Sequence, residues 1–117
     1  MKRILIIEDE QKIYQGYLRS LVESGFIVRQ ANDARQAAYL LLKEEMDLIV
    51  MDIKMVETDG QDIFKVIRKF NPNLDFIISS IYSVEKQKAL IPWAQDYHDK
   101  SQGIFILIDK IKSVLVC

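Results

Sequence analysis

The stretch DLIVMDIKMVETDG, residues 47–60, determines how the chain is organised. Four apolar residues (48–51) run directly into Asp52, and an Asp-Gly pair closes the loop that follows. A short, continuous apolar run is typical of a strand that is covered on both faces of a sheet. Because a buried carboxylate is costly, Asp52 either closes a strand at the solvent boundary or lies at an edge where chemistry takes place.

Strands and helices alternate on both sides of this stretch. We predict strands over 3–8, 26–31, 47–51, 75–79 and 95–99. We predict helices over 10–24, 33–45 and 84–91, a further helix that is capped by Asp59 and ends at Phe70, and a last helix from about 104 onwards. Five strands that alternate with helices through short connections indicate an α/β fold, with a parallel sheet and helices on both of its faces. The length of 117 residues is that of a single domain, 1–117.

Two of these helices have a predicted buried stripe. In the helix that ends before Asn71-Pro72 the stripe is Ile63, Val66, Ile67 and Phe70, and in the last helix it is Ile104, Ile108, Ile111 and Leu115. The last helix then directs Phe105 and Ile106 outwards.

Composition excludes several function classes. Sixteen basic residues against 17 acidic ones give a net charge of −1, so we expect no direct nucleic-acid binding. The apolar runs are too short for a membrane span or a signal peptide. The one cysteine, Cys117, cannot form an internal disulfide. We expect a cytoplasmic protein without membrane contact.

Polar residues follow the predicted strands, at the edge where such sheets bind their ligands. They are Glu8-Asp9-Glu10, Asp52, Ser79-Ser80 and Asp99-Lys100. Carboxylates in close proximity need a cation, and hard oxygen ligands without His or Cys suit Mg²⁺. An aspartate beside a divalent cation and a lysine can attack phosphorus, which gives an aspartyl phosphate.

Each of these residues also has a plainer interpretation. Glu10 favourably charges a helix N-terminus, and a lysine such as Lys100 is usually solvated. Spacing alone does not choose between Ser79 and Ser80. His98 is interpreted as an ordinary strand residue without a role.

Four segments in this order and spacing, IIEDE, MDIKMVETDG, IISSIYS and DYHDKS, resemble the receiver domain of two-component response regulators, of the chemotaxis-regulator type. The resemblance covers nearly the whole chain. It implies a flavodoxin-like, doubly wound sheet of five parallel strands in the order 2-1-3-4-5.

The resemblance also implies residue roles. Asp52 matches the phosphoacceptor, Ser80 the switch hydroxyl, Lys100 the lysine that contacts the phosphoryl group and Tyr97 the aromatic residue that moves with the switch.

The implied Mg²⁺ ligands are Asp9 and Asp52 directly, Glu8 through a water and Lys54 through its backbone carbonyl.

Four positions depart from the family pattern. Val56 replaces a proline, which we expect to loosen the loop after Asp52, and Ile81 replaces a small residue, which narrows access to the aspartate. Ser101 replaces a proline, so we expect no cis peptide there. Trp93 stands where a glycine is usual.

The implied function is a signalling switch. A sensor histidine kinase or a small phosphodonor phosphorylates Asp52, and no enzymatic activity is expected beyond self-phosphorylation and autodephosphorylation. The output face consists of the fourth predicted helix, the fifth strand and the last helix. There Trp93, Phe105 and Ile106 are candidate contacts for a downstream protein or a homodimer.

Three alternatives remain. The loop changes leave room for a receiver-like interaction module that works without phosphate. A flavodoxin-like cofactor protein is disfavoured, because EDEQ at 8–11 stands where a flavin phosphate needs amides and hydroxyls. A Mg²⁺-dependent phosphatase shares the aspartate chemistry, but 117 residues leave little room for a cap over an outside substrate.

The domain is either a stand-alone receiver or part of a longer regulator.

Overall fold

The computed structural model describes residues 1–59 and 61–116, apart from the side chains of 58, 59 and 61. The helix cap predicted at Asp59 and the thiol of Cys117 therefore lie outside the described residues.

The chain forms a five-stranded sheet flanked by helices. The strands are β1 (Arg3–Ile7), β2 (Ile27–Ala31), β3 (Leu48–Met51), β4 (Asp75–Ser80) and β5 (Asp96–Asp99). The helices are α1 (Gln11–Glu23), α2 (Ala34–Lys43), α3 (Ile53–Asp59), α4 (Gln61–Phe70), α5 (Val84–Leu90) and α6 (Ile104–Leu115), with a 3₁₀ turn at Lys100–Gln102. All pairings are parallel and the strand order is β2-β1-β3-β4-β5. The predicted fold is confirmed.

Alternation along the strands divides the core into two layers. In β1, Ile4 and Ile6 pack with α1 and α6 on one face of the sheet. Leu5 and Ile7 pack with α2, α3 and α4 on the other face. Because both faces are covered, the central strands β1 and β3 are almost entirely apolar.

Residues 53–59 form helix α3, so the loop predicted there is wrong. Asp52 supplies the N-cap, since its Oδ1 accepts a hydrogen bond of 3.1 Å from the backbone N–H of Lys54. Val56 is buried in the core below α3. Its side chain therefore anchors this segment, and the expectation that it loosens the chain is also wrong.

The stripe predicted for α4 is partly wrong. Ile67 is buried and Ile63 packs against the core, but Val66 and Phe70 are exposed, and Phe64 takes the central buried place. The buried side of α4 is rotated toward Phe64. The ring centroids of Phe64 and Trp93 are 6.4 Å apart.

The stripe predicted for α6 is confirmed. Ile108, Ile111 and Leu115 are buried and Ile104 packs against them, with Leu107 added to the set.

Side-chain caps fix the beginnings of two further helices. Asp33 accepts from the N–H of Gln36 at 2.8 Å and caps α2. Ser83 accepts from the N–H of Lys86 at 3.2 Å and caps α5. None of the helices in the described part of the chain has both the length and the apolar composition needed to cross a membrane.

Candidate functional site

The ends of four strands meet at one edge of the sheet. Ile7 pairs with Met51 across β1 and β3, and Met51 pairs with Ile78 on β4. The residues that follow these strands are therefore level with one another. A surface groove at this edge, which we call the acidic groove, is lined by six predicted site residues: Glu8, Asp9, Asp52, Lys54, Ser80 and Lys100.

Asp52 and Lys100 form an ion pair in the acidic groove. The Nζ atom of Lys100 lies 2.8 Å from Oδ2 of Asp52, and their side chains are only 23% and 17% exposed. Burial alone lowers the pKa of Lys100, but the hydrogen bond to Asp52 and the attraction of nearby acidic groups outweigh it and raise this pKa above its ordinary value. Lys100 is thus a cation at neutral pH, placed against the predicted phosphoacceptor.

Lys54 lies in the first turn of α3. Its N–H is bound by Asp52, while the carbonyls of a helix point along the axis towards its C-terminal end. The carbonyl of Lys54 can therefore reach a metal ion beside Asp52 only when the first turn of α3 opens.

Glu8 and Asp9 differ in burial. Glu8 is buried and its Oε2 accepts from the N–H of Glu10 at 3.2 Å. Burial raises the pKa of Glu8, although this hydrogen bond and the charge of Lys100 act in the opposite direction. Asp9 is exposed. Glu10 is the N-cap residue of α1 but makes no side-chain cap hydrogen bond.

The donor set of the acidic groove fits Mg²⁺. Within residues 1–59 and 61–116, no three Asp, Glu, His or Cys side chains converge as a ready-made metal cage. Mg²⁺ seldom uses such a cage, since it is bound by one or two carboxylates and keeps several waters. The carboxylates of Asp9 and Asp52, with Glu8 behind them, match this requirement.

Ser79 and Ser80 face opposite sides of the sheet. Ser80 lines the acidic groove, and its Oγ accepts from the N–H of Tyr82 at 3.3 Å. Ser79 contacts Tyr17 Oη at 3.3 Å and His98 Nδ1 at 2.8 Å, and it lines a second, small pocket that Asp52 and Lys100 also line. Ser80 is therefore the serine that lines the same groove as Asp9 and Asp52, which is where the predicted switch hydroxyl belongs.

His98 belongs to a buried polar network that was not predicted. Its Nε2 lies 2.8 Å from the carbonyl of Gly103, so this nitrogen carries the proton, and Nδ1 accepts from the hydroxyl of Ser79. Burial lowers the pKa of His98. A polar residue in a short, polar strand carries no sequence signal of burial, so its structural role was missed.

Gln87 joins the segment after β4 to β5. It is fully buried, and its Nε2 donates to the carbonyls of Tyr82 and His98, each at 2.8 Å. Sequence patterning placed Gln87 on an ordinary short helix and missed this bridge. Tyr97 on β5 is also buried, and its hydroxyl donates to the carbonyl of Ile91.

The predicted output contacts do not form one surface. Phe105 and Ile106 are exposed at the beginning of α6, as predicted. Trp93 instead packs edge-on against Phe76, at 5.3 Å between ring centroids, in the core layer opposite α6. The predicted place of Trp93 beside Phe105 and Ile106 is wrong, because Trp93 precedes β5 and fills the gap below α4.

The structure also gives the surroundings of two other residues that depart from the family pattern, Ile81 and Ser101. Ile81 is exposed and lines the acidic groove beside Ser80. The N–H and hydroxyl of Ser101 both donate to Oδ1 of Asp99, at 2.9 and 2.7 Å.

Comparison with known sequences gives a consistent result. Residues 4–112 match the family model of the response regulator receiver domain. The transcriptional regulatory protein CusR of Escherichia coli is 28% identical over 115 residues, which cover 97% of this chain and 51% of CusR. The sensor kinase CckA of Brucella abortus is 33% identical over 82 residues, 68% of this chain and 9% of CckA. The chain spans about half the length of CusR and similar curated relatives.

Solved structures agree with these matches. The response regulator TrrA of Thermotoga maritima, in complex with Mg²⁺-BeF, has a TM-score of 0.83 and 28% identity, covering 97% of this chain and 99% of TrrA. TrrA in complex with the histidine kinase ThkA has a TM-score of 0.84 and 29% identity, covering 98% and 99%.

Proposed function

Because the chain belongs to the response regulator receiver domain family, as its motifs predicted, we propose that it is a signalling switch controlled by phosphorylation of Asp52. The observation that carries the proposal is the 2.8 Å ion pair of Lys100 with Asp52, inside a groove that also contains Asp9 and Ser80. The phosphodonor is a sensor histidine kinase, which the complex of TrrA with ThkA supports, or a small acyl phosphate.

The phosphoryl transfer uses a carboxylate oxygen of Asp52 as the nucleophile. This oxygen forms a bond to phosphorus while the bond from phosphorus to the donor's nitrogen or oxygen breaks, and the leaving group keeps that electron pair. The ammonium of Lys100 attracts the oxygens of the transferring group, where negative charge is concentrated. The domain catalyses only its own phosphorylation and dephosphorylation.

The reaction depends on Mg²⁺, which the complex of TrrA with Mg²⁺-BeF supports. Asp9 and Asp52 would hold the ion, with Glu8 behind them through a water, and Lys54 would contribute its carbonyl once the first turn of α3 opens. A bound Mg²⁺ neutralises part of the charge of the phosphoryl group.

The switch begins at Ser80. The Ser80 hydroxyl, which now accepts from the N–H of Tyr82, turns to donate to the phosphoryl group. This movement draws in the adjacent segment at Tyr82. Gln87 links the Tyr82 carbonyl to β5, so α5 and Tyr97 shift together. Phosphorylation thereby changes the populations of two states. The output face is formed by α5, β5 and α6, where Phe105 and Ile106 contact a downstream protein or a second copy.

Intact mass after incubation with acetyl phosphate and Mg²⁺ tests this function. The wild type gains one phosphoryl group, and neither the Asp52→Asn variant nor a sample with excess chelator does. An adduct that persists in Asp52→Asn, or no adduct on the wild type, contradicts the proposal.

A second candidate is a receiver-like interaction module that works without phosphate. The closed first turn of α3, which holds the Lys54 N–H against Asp52, favours this alternative because it withdraws one expected Mg²⁺ ligand. Partner binding that is equal for the wild type, with and without acetyl phosphate, and for Asp52→Asn supports the module and contradicts the switch.

A further inference from the structure

Four large apolar side chains are exposed on α2 and α4, away from the acidic groove and from Phe105. They are Tyr39 (55% exposed), Leu42 (86%), Val66 (52%) and Phe70 (75%). Single exposed apolar residues are ordinary, but several on adjacent elements indicate an interaction surface. We call these four residues the α2–α4 patch.

Helix geometry brings the four residues together. The helices α2 and α4 lie in the same layer and pack against each other. Both run antiparallel to the strands, so their C-terminal halves, which carry all four residues, lie at the same end of the domain. On α4, Phe70 is rotated by about 200° from Arg68, whose guanidinium covers Trp93. Phe70 therefore points away from Trp93 and towards α2.

The charge around the α2–α4 patch is positive, although the whole protein has a net charge of −1. α2 and α4 together contain one acidic residue, Asp62, and five basic residues: Arg35, Lys43, Lys65, Arg68 and Lys69. Lys43 lies over the ring of Tyr39, at 4.5 Å from its centroid. After α2, Glu44 is already paired with Arg3 and Arg29, while Glu45 is exposed.

We propose that the α2–α4 patch binds an acidic, amphipathic helix of a partner protein. The apolar side of such a helix would lie between α2 and α4 on Leu42 and Phe70, and its carboxylates would face the surrounding lysines. This surface is separate from the output face, and its binding does not require phosphorylation.

Charge argues against a second copy as the occupant. Two copies of the patch placed face to face would bring basic residues against basic residues, which is unfavourable. A membrane surface is also a weaker match, because the inner sides of both helices are fixed in the core. Only four side chains are left to enter a lipid interface, where binding scales with the apolar area inserted.

Fluorescence anisotropy with a designed peptide tests the proposal. The probe is a labelled helix of about 20 residues, long enough to be helical, with Leu and Phe on one side and Glu on the other. A matched peptide has Lys in place of Glu. The proteins are the wild type, Leu42→Ser with Phe70→Ser, Lys43→Glu with Lys69→Glu, and the control Phe105→Ser with Ile106→Ser.

We expect the acidic peptide to bind the wild type and the control equally, and at least tenfold more weakly to either patch variant. Binding should weaken in about 0.5 M salt, which screens surface charges. The lysine peptide should not bind. Asp52→Asn should bind the acidic peptide as the wild type does. The peptide experiment therefore tests the α2–α4 patch independently of the phosphorylation switch.

Three results overturn the proposal. The first is absent peptide binding, or binding that the patch variants leave unchanged. The second is binding to phosphatidylglycerol vesicles but not to the peptide, which identifies a membrane surface. The third is self-association in sedimentation that Leu42→Ser with Phe70→Ser abolishes, which identifies a second copy. Circular dichroism of each variant confirms that these exposed substitutions leave the fold intact.

Discussion

The ammonium group of Lys100 lies 2.8 Å from Oδ2 of Asp52, so an ion pair joins the ends of β3 and β5. Replacing Lys100 by Met leaves a largely buried carboxylate without its cation. We expect the free energy of unfolding to fall by about 1–2 kcal/mol, after allowance for partial exposure. Phosphorylation by acetyl phosphate should slow at least tenfold. Urea unfolding and intact-mass time courses measure both effects, and Lys112→Met, at an exposed position of α6, should change neither.

Asp52 caps α3 and is also the proposed nucleophile, and two substitutions separate these roles. Asn and Asp are equally good N-caps, whereas Ala at the N-cap lowers the free energy of unfolding by about 1 kcal/mol. Neither Asp52→Asn nor Asp52→Ala should accept a phosphoryl group, but Asp52→Ala should be less stable in urea by about that amount. Equal stabilities would mean that the Lys54 N–H bond contributes nothing.

Val56 connects the core to the proposed Mg²⁺ site. Val56→Pro removes a helical N–H and a buried side chain, so we expect a loss of about 2–4 kcal/mol. The opened first turn of α3 should release the Lys54 carbonyl and raise the affinity for Mg²⁺, as measured by calorimetric titration. Val56→Ala is the matched control: it loses packing but keeps the helix, and its Mg²⁺ affinity should equal that of the wild type. Equal affinities in all three proteins would exclude Lys54 as a ligand.

Ile81 is exposed in the acidic groove beside Ser80. Ile81→Ala should let small phosphodonors and water approach Asp52 more freely. We expect several-fold faster phosphorylation and faster loss of the phosphoryl group, with a stability change within about 0.5 kcal/mol. Unchanged rates in a time course with acetyl phosphate would show that Ile81 does not limit access.

Stability should depend on pH through His98, which is the only histidine in the sequence. Burial lowers its pKa, with Lys110, Asp99 and Lys100 as the surrounding charges. Between the lowered native pKa and about 6.5, the unfolded chain binds a proton that the native protein does not. The native state should therefore lose stability as the pH falls from 7 to about 5.5, by up to about 1.4 kcal/mol per pH unit.

The variant His98→Gln isolates this contribution from those of the carboxyl groups. Its stability should be lower at pH 7, but the difference from the wild type should shrink as the pH falls. A difference that stays constant across this range would mean that His98 is not held neutral in the native state.

The fold was predictable because its signals are local and repeated. The apolar runs at β1 and β3 are too hydrophobic for any place but the centre of a sheet, and caps such as Asp33 mark where helices begin. The stripe of α6 was found because its period of apolar residues persists over three turns. The stripe of α4 was misplaced, since Val66 and Phe70 have the same hydrophobicity as the buried residues beside them.

The polar interior was not predictable in the same way. Glu8, Asp52 and Lys100 could be assembled from the rule that strand ends share an edge. The contacts of Gln87 and His98 depend on the distance between α5 and β5, which no sequence pattern encodes. Likewise, a helix at 53–59 requires both the cap by Asp52 and the burial of Val56, and neither is visible before the chain is folded.

The two side-chain oxygens of Asp52 are both occupied in this conformation, Oδ1 by the Lys54 N–H and Oδ2 by the Lys100 ammonium. A new ligand that displaces either partner therefore also breaks a contact within the fold. An incoming cation or phosphoryl group competes with an amide that holds a helix and with an ammonium that holds a strand end. Both partners belong to the fold itself, so exchange at Asp52 is coupled to the first turn of α3 and to the end of β5.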